Sequence, residues 1–270
     1  MYKAICTDID GTLLNTDREL SPKTLSVLRE VKHNIPIILA SSRMPAAMRH
    51  LQEAIGTVDE PLICYNGGYI VDIENSKVID STEITYNWVA EVVRLSALEK
   101  IHASLYSEDN WYAPANDEWT NREENNTKVS ATIRPNAEVL AKWQPTQNGA
   151  HKIMLMGDAP KIDRIVESLI KQEAPLHLYR SKDTYLEIAP NSISKALALK
   201  KLLAYKYDIL IEEIVAFGDN FNDIELLKSV GHGVAVANAK DAVKAIANEV
   251  VEAGKHDGVA KTIERYFLTN

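Results

Sequence analysis

The sequence predicts a doubly wound α/β core with a Rossmann-like parallel sheet, interrupted by an inserted α+β domain. Three observations carry that expectation. Short apolar runs alternate with helical patterns over residues 1–82 and again over 188–270. Two acidic clusters, Asp8-Ile9-Asp10-Gly11-Thr12 and Gly218-Asp219-Asn220-Phe221-Asn222-Asp223, follow the runs Ala4-Ile5-Cys6 and Ile214-Val215-Ala216-Phe217. Between 83 and 187 the texture changes, and all four tryptophans (Trp88, Trp111, Trp119, Trp143) fall there.

The first apolar run predicts a strand over 3–9, followed by Leu13-Leu14 and a polar loop. Ser21-Pro22 opens a helix reaching about residue 32, with the serine as N-cap and the proline at the first helical position. The run 35–40 is a strand whose Pro36 belongs at its start. Ser41-Ser42-Arg43 closes it, and a helix follows over 45–55. Leu62-Ile63-Cys64-Tyr65 reads as a strand turning at Asn66-Gly67-Gly68, with 69–71 and 78–79 as an added hairpin. Strands and helices alternating in this way make an open parallel sheet with right-handed crossovers.

Within 83–187, strand pairs are expected at 103–107 with 111–113 and at 176–180 with 184–188. Helices are expected over 86–99 and 159–172, whereas 114–150 is polar and weakly periodic. After Pro190 the α/β texture returns. The expected elements are a helix over 194–205, a strand 214–217, a helix 222–229 and a strand 233–236. A helix 239–247, a strand 249–251 and a helix 257–267 complete the chain. The predicted core domain is therefore discontinuous, 1–82 with 188–270, around an insert of 83–187.

At 270 residues the chain suits about two domains. A formal net charge of −8 argues against nucleic acid as a partner, while a few local cations can still hold a small anion. The two cysteines, Cys6 and Cys64, lie in apolar runs and imply no disulfide framework. Acidic Asp8 comes too early for a signal peptide, and no apolar stretch approaches ~20 residues, so no membrane span is expected. A cytoplasmic protein, monomeric or a weak homo-oligomer, is the expectation. The seven histidines show no metal-ligand spacing.

Open α/β sheets carry their chemistry at the carboxyl ends of strands. Two strand ends here deliver Asp8, Asp10, Asp219 and Asp223, a concentration of charge that calls for a divalent cation. Asp8 and Asp10 are two apart and share a face of an extended chain. One can attack phosphorus while the other handles a proton, provided their environments differ. Taken singly, each feature has an ordinary reading as well. Asp8 to Thr12 fits a strand end with a local turn, and Asp219 with Asp223 fits acids decorating a helix start. Ser41-Ser42 suits an anion or a plain helix cap, and Lys195 can be a solvated lysine. The insert's aromatic residues fit either a sugar-stacking surface or the insert's own core.

In order, these segments resemble the four motifs of the haloacid dehalogenase superfamily. Asp8-Ile9-Asp10-Gly11-Thr12-Leu13-Leu14 resembles the first and Ala40-Ser41-Ser42-Arg43 the second. Ser194-Lys195 resembles the third, and the run from Gly218 to Asp223 the fourth. An α+β insert between the second and third motifs is similar to the Cof-type (type IIB) phosphatases. Asn66-Gly67-Gly68, the run from Val234 to Ala239 and Asp257-Gly258-Val259 extend the likeness. Ser41 stands where the family usually has threonine, Ser42 where it has glycine, and Ala237 where glycine is common.

The resemblance implies an Mg²⁺-dependent phosphomonoester hydrolase with Asp8 as nucleophile and Asp10 as general acid and base. It implies Asp8, the Asp10 backbone carbonyl and Asp219 as metal ligands, with Asp223 a further ligand or an orienting group. Ser41, Ser42, Lys195 and Asn222 would hold phosphoryl oxygens, and Arg43 would contact substrate. The insert would act as a cap that closes over the site and reads a small phosphate ester. A hexose phosphate is expected, ahead of pyridoxal phosphate or flavin mononucleotide. A phosphomutase or phosphotransferase shares every motif, and a non-catalytic sugar-phosphate binder is the alternative of another class.

Overall fold

The computed structural model describes residues 2–269, apart from the side chain of Ser181. The chain divides into two units, Met1–Asp80 with Ser194–Asn270 (unit 1) and Ser81–Ile193 (unit 2).

Unit 1 begins with β1 (Ala4–Thr7), α1 (Pro22–Val31), β2 (Ile37–Leu39) and α2 (Ala46–Ile55). Three strands follow, β3 (Leu62–Cys64), β4 (Tyr69–Asp72) and β5 (Lys77–Ser81). Unit 2 then supplies α3 (Tyr86–Glu99), β6 (His102–Ser107), β7 (Asn110–Ala113), α4 (Glu118–Thr127), β8 (Thr132–Ile133), α5 (Asn136–Trp143) and β9 (Lys152–Met156). It ends with α6 (Ala159–Lys171), β10 (Leu176–Lys182) and β11 (Tyr185–Pro190). Unit 1 resumes with α7 (Lys195–Lys206), β12 (Ile214–Gly218), α8 (Ile224–Ser229), β13 (His232–Val236), α9 (Asp241–Lys244), β14 (Glu249–Val251) and α10 (Gly258–Ile263).

The central sheet of unit 1 is parallel, in the order β14-β13-β12-β1-β2. Every residue of β1, β2 and β12 is buried, the reason these strands read as unbroken apolar runs. Thr7 sits opposite both Phe217 and Leu39, so the first acidic cluster leaves the sheet level with the second. Ala40 bridges in parallel to Ile63, and β3-β4-β5 form a separate three-stranded sheet. Helix α1 is capped as its sequence asks: the Ser21 hydroxyl accepts the Thr24 N–H at 3.0 Å. Ser21 also donates to Asp257, and Thr24 reaches the same carboxylate at 3.2 Å, so the Asp257-Gly258-Val259 segment fastens the start of α1.

Two expected helices are shorter than their patterns. The one expected over 239–247 is helical only at Asp241–Lys244. The Asn248 N–H donates to Gly233 and its side chain accepts the Gly233 N–H, both at 2.8 Å, drawing the chain into β14. The last helix is regular at Gly258–Ile263 and then widens into a π-turn at Glu264–Leu268.

Unit 2 holds a six-stranded sheet, β10-β11-β9-β6-β7-β8, antiparallel except for the β7–β8 pair. Ala103, Leu105, Ile153, Leu155, Leu186 and Ile188 belong to one core cluster with Val89, Val92, Val139, Trp143, Ile162, Ile165 and Leu169 of α3, α5 and α6. Trp143 and Trp88 thus pack in or against that core, Trp111 is buried, and Trp119 meets the Tyr185 ring edge-on at 5.7 Å. Four elements here exceed the expectation, one of them the two-residue strand β8. Helix α4 buries only Thr120, so it has no apolar stripe to detect. Helix α5 is eight residues with Val139 and Trp143 buried, too short for a period to show. Strand β9 lies at the middle of the sheet, and its partners β6 and β11 are both remote in sequence, so no turn announces it. No helix among the described residues is long and apolar enough to cross a membrane.

Candidate active site

The site grows from the carboxyl ends of β1 and β12. The Asp8 N–H donates to the Phe217 carbonyl at 3.0 Å, extending the ladder by one residue and fixing where Asp8 leaves the sheet. Gly11 then turns at φ 85°, and a Cβ there would lie 2.4 Å from Asp219 Oδ2. Only glycine allows the first loop to pass this close to the second. The Thr12 hydroxyl reaches Asp219 Oδ1 at 3.2 Å, and Asn238 Nδ2 donates to the Gly11 carbonyl at 2.7 Å.

Lys195 stands at the first position of α7 behind its N-cap Ser194. Gly67, at φ 104°, makes that position possible, because a Cβ there would lie 2.4 Å from the Ser194 carbonyl oxygen. The lysine is fully buried and donates to Asp8 Oδ1 at 2.5 Å and to Asp223 Oδ1 at 2.7 Å. Asp223 Oδ2 in turn accepts the Asp219 and Asn220 N–H groups, both at 3.0 Å. Asp8, Asp219 and Asp223 each offer an oxygen within 4.8 Å of the others. Asp8 Oδ2 is buried and meets no hydrogen-bond donor.

The electrostatics follow from this crowding. Burial, reinforced by Asp223 and Asp219, pushes the Asp8 carboxyl up to about 8 against the pull of Lys195. Burial and Asp223 push Asp219 up to about 6. Burial opposes the charge on Lys195, but Asp223 and Asp8 outweigh it and raise its pKa.

Asp10 is treated differently. Its carboxylate is clasped by Arg43, with Nε at 2.7 Å and Nη2 at 2.8 Å, and Arg18 lies at 3.5 Å. Burial disfavours its charge, yet the Arg43 hydrogen bonds hold its pKa below the ordinary value. Arg43 is itself buried, with Nη1 donating to the Ala47 carbonyl at 3.0 Å. The structure therefore gives this guanidinium, expected to touch substrate, to Asp10.

Ser41 is buried, and its N–H donates to Ile63 at 2.9 Å. Its hydroxyl accepts the Arg43 N–H at 3.3 Å, while Ser42 is half-buried in the same loop. Asn222 Nδ2 donates to Asn66 Oδ1 at 2.8 Å, with Asn66 in the left-handed region at φ 58°. The supporting roles of Asn66, Asn238 and Arg18 went unread in the sequence. Both asparagines lie in the runs Asn66-Gly67-Gly68 and Val234 to Ala239, but their partners are 156 and 227 residues away.

Buried acids around one lysine, at the strand ends of a doubly wound sheet, invite comparison with known enzymes. A family model for haloacid dehalogenase-like hydrolases matches residues 5–263. The chain belongs to that family. It is 32% identical to a protein of Haemophilus influenzae named for phosphatase activity, over 99% of each chain. It is 28% identical to a pyridoxal phosphate phosphatase of Escherichia coli, over 98% of this chain and 99% of that one. The solved structure of a haloacid dehalogenase-like hydrolase from Bacteroides thetaiotaomicron superposes with a TM-score of 0.89 at 28% identity, covering 99% of this chain and 100% of that one. The chain is an enzyme, a phosphatase of the haloacid dehalogenase type.

Proposed function

We propose that the chain is an Mg²⁺-dependent hydrolase of a small phosphate monoester, a hexose phosphate, working through a phosphoaspartate on Asp8. One observation carries the reading: Asp8 Oδ2 is buried without a donor while Asp8 Oδ1 is held by Lys195. An oxygen so placed is fixed in direction and kept from water, as a nucleophile must be.

The residues present fit a hard divalent cation. Three carboxylates offer oxygens within 4.8 Å, a concentration of negative charge that asks for a positive partner. Asp8 and Asp219 would hold the ion, with the Asp10 carbonyl, while Asp223, committed to Lys195 and two backbone N–H groups, would orient the pair. When bound, Mg²⁺ supplies charge neutralisation for the phosphoryl group and keeps Asp8 ionised.

The chain's own residues divide the remaining work. Asp8 attacks phosphorus, and the alkoxide leaves with a proton from Asp10. Water then attacks the phosphoaspartate as Asp10 takes its proton. Ser41, Ser42, Lys195 and Asn222 hold the phosphoryl oxygens through both steps. As drawn by Arg43, Asp10 is an ionised carboxylate, the form suited to the second step. Proton donation in the first step requires this clasp to slacken. Unit 2 is the reader of the leaving alcohol.

The test is phosphate release from a panel of monoesters with Mg²⁺, with excess chelator, and with Asp219→Ala. The reading expects release with Mg²⁺ only and none from the variant. Full turnover in chelator sinks the metal assignment; no release from any ester sinks the phosphatase chemistry.

A further inference from the structure

Two arginines of unit 1 face Asp10, and they do so differently. Arg43 is buried and grips the carboxylate with two hydrogen bonds. Arg18 is exposed, its side chain 46% open to solvent, and its Nη2 stands 3.5 Å from Asp10 Oδ1, well beyond the Arg43 distances. The loop that carries it is built rather than loose. Leu13 and Leu14 are buried and donate their N–H groups to the Ile9 carbonyl at 3.0 and 3.1 Å. The Asn15 side chain then accepts the Asp17 and Glu19 N–H groups at 2.9 and 3.0 Å. The Asn15 N–H donates to the Glu19 carbonyl at 3.0 Å, and the Arg18 N–H to the Asn15 carbonyl at 3.1 Å. This closed turn sets Arg18 in the left-handed region at φ 63°, which a residue with a side chain seldom adopts. Strain of that kind persists where the surrounding bonds enforce it, and beside a reacting group it points to a role there.

Asp10 alone is a poor reason for this second cation, since Arg43 already holds both of its oxygens. What else comes to this place follows from the reaction. The leaving oxygen of the ester has to come within about 3 Å of Asp10 to take its proton. Arg18 Nη2 therefore lies within about 6–7 Å of that oxygen, in reach of a substituent one or two carbons along the alcohol. A guanidinium is a planar fork of donors with no acceptor, matched by a carboxylate or phosphate and poorly by a neutral hydroxyl. Asp17 and Glu19 share the turn, so unattached anions are not gathered here. The anion has to be carried in by its own phosphate ester.

Resting on the phosphatase reading above, we propose that Arg18 determines specificity by pairing with an acidic group on the leaving alcohol, so that the preferred substrates are phosphate esters of hydroxy acids, sugar acids among them. The experiment compares kcat/KM for 3-phosphoglycerate and glycerol 3-phosphate, which differ only in a carboxylate against a hydroxymethyl group. The wild type prefers the carboxylate ester about tenfold or more, as expected for a hydrogen bond between charged groups. Because Arg18 is exposed, that preference shrinks as salt is raised. In Arg18→Gln the preference falls about tenfold, while Arg18→Lys, which keeps the charge without the fork, retains part of it. A wild type indifferent to the carboxylate overturns the assignment. A preference unchanged in Arg18→Gln overturns it too, because an arginine that merely supports Asp10 lowers both esters together. Hydrolysis of p-nitrophenyl phosphate without a preference for the carboxylate ester overturns this inference and leaves the phosphatase reading standing. Release of phosphate from none of the three esters overturns both.

Discussion

Unit 1 keeps its acidic cluster at the ends of β1 and β12, whereas unit 2 carries charged groups within its strands. In unit 1, β1 and β12 are buried on both sides, so Asp8, Asp219 and Asp223 appear only where these strands stop. Loop N–H groups and one lysine then hold the acids in fixed directions. In unit 2, α3, α5 and α6 cover one face of the sheet, while Lys152 and Glu187 lie on the other within regular strands, where Trp119 of α4 meets Tyr185. The titrating groups diverge too. Burial, reinforced by neighbouring carboxylates, lifts Asp8 to about 8 in unit 1, while burial lowers His151 to about 4 in unit 2. The contrast teaches that a parallel sheet buried on both faces leaves its charged groups at the strand ends, whereas this antiparallel sheet takes charged groups into its strands.

The largest break in that comparison is Asp8→Asn. An amide is no nucleophile, so kcat should fall at least ~10⁴-fold, with no phosphate trapped on residue 8 in rapid-quench mass spectrometry. Because all four tryptophans lie in unit 2, their fluorescence should be that of the wild type. Activity within about a hundredfold of wild type would point to direct attack by water.

Asp10→Asn should fail differently. The nucleophile remains while acid and base are lost, a defect of about 10²–10⁴-fold for poor leaving groups. p-Nitrophenyl phosphate, whose leaving group departs without a proton, should lose far less, and its phosphoenzyme should accumulate. Equal losses on both kinds of ester, with no adduct, would reassign Asp10.

Lys195→Met tests whether unit 1 depends on its edge charges for stability as well as chemistry. The substitution strands Asp8 and Asp223 beside each other in a buried site, at a cost of about 3–5 kcal/mol. Hydrogen exchange in β1 and β12 and denaturation followed by far-ultraviolet circular dichroism should show it. Adding Asp223→Asn should recover part of the loss, since the two sites are coupled. A cost below about 1 kcal/mol would mean that water or ions already reach the acids.

How legible each unit was follows from the same contrast. The strands of unit 1 stand out because burial on both faces leaves unbroken runs such as Ile214 to Phe217 ending at an acid. Unit 2 hides β9 because its partners are far along the chain, and hides α4 because that helix has almost no buried face. In the site, Asp8, Asp219 and Asp223 stand out as acids after apolar runs, whereas Lys195 is singled out only by the resemblance of Ser194-Lys195 to a family motif. The pairing of Arg43 with Asp10 could not, because nothing in Ser41-Ser42-Arg43 says which way a long guanidinium turns. Asn66 and Asn238 act through single hydrogen bonds to remote loops, and no local pattern records such a bond.

The smallest expected effect sharpens the comparison through pH. His151 is buried in unit 2 with Nε2 at 2.9 Å from the Ser81 hydroxyl, while Nδ1 accepts the Glu108 N–H at 3.0 Å. Glu83 Oε1 stands 3.9 Å from that same Nδ1. Accepting an N–H at Nδ1 places the ring proton on Nε2 and suits the neutral imidazole, consistent with a pKa lowered by burial from 6.5 to about 4. The unfolded chain takes up this proton below about 6.5 and the folded one only below about 4, so stability is full above that window and falls as pH drops through it. The slope is at most about 1.4 kcal/mol per pH unit, and the total across the window is about 3 kcal/mol. Tryptophan fluorescence during urea denaturation at pH 7.5, 6 and 5 should follow that loss in unit 2. His151→Gln keeps a neutral amide in place of the ring and should flatten the dependence across the window, at the expense of some stability at pH 7.5. An undiminished slope in that variant would assign the acid sensitivity of unit 2 to its carboxylates.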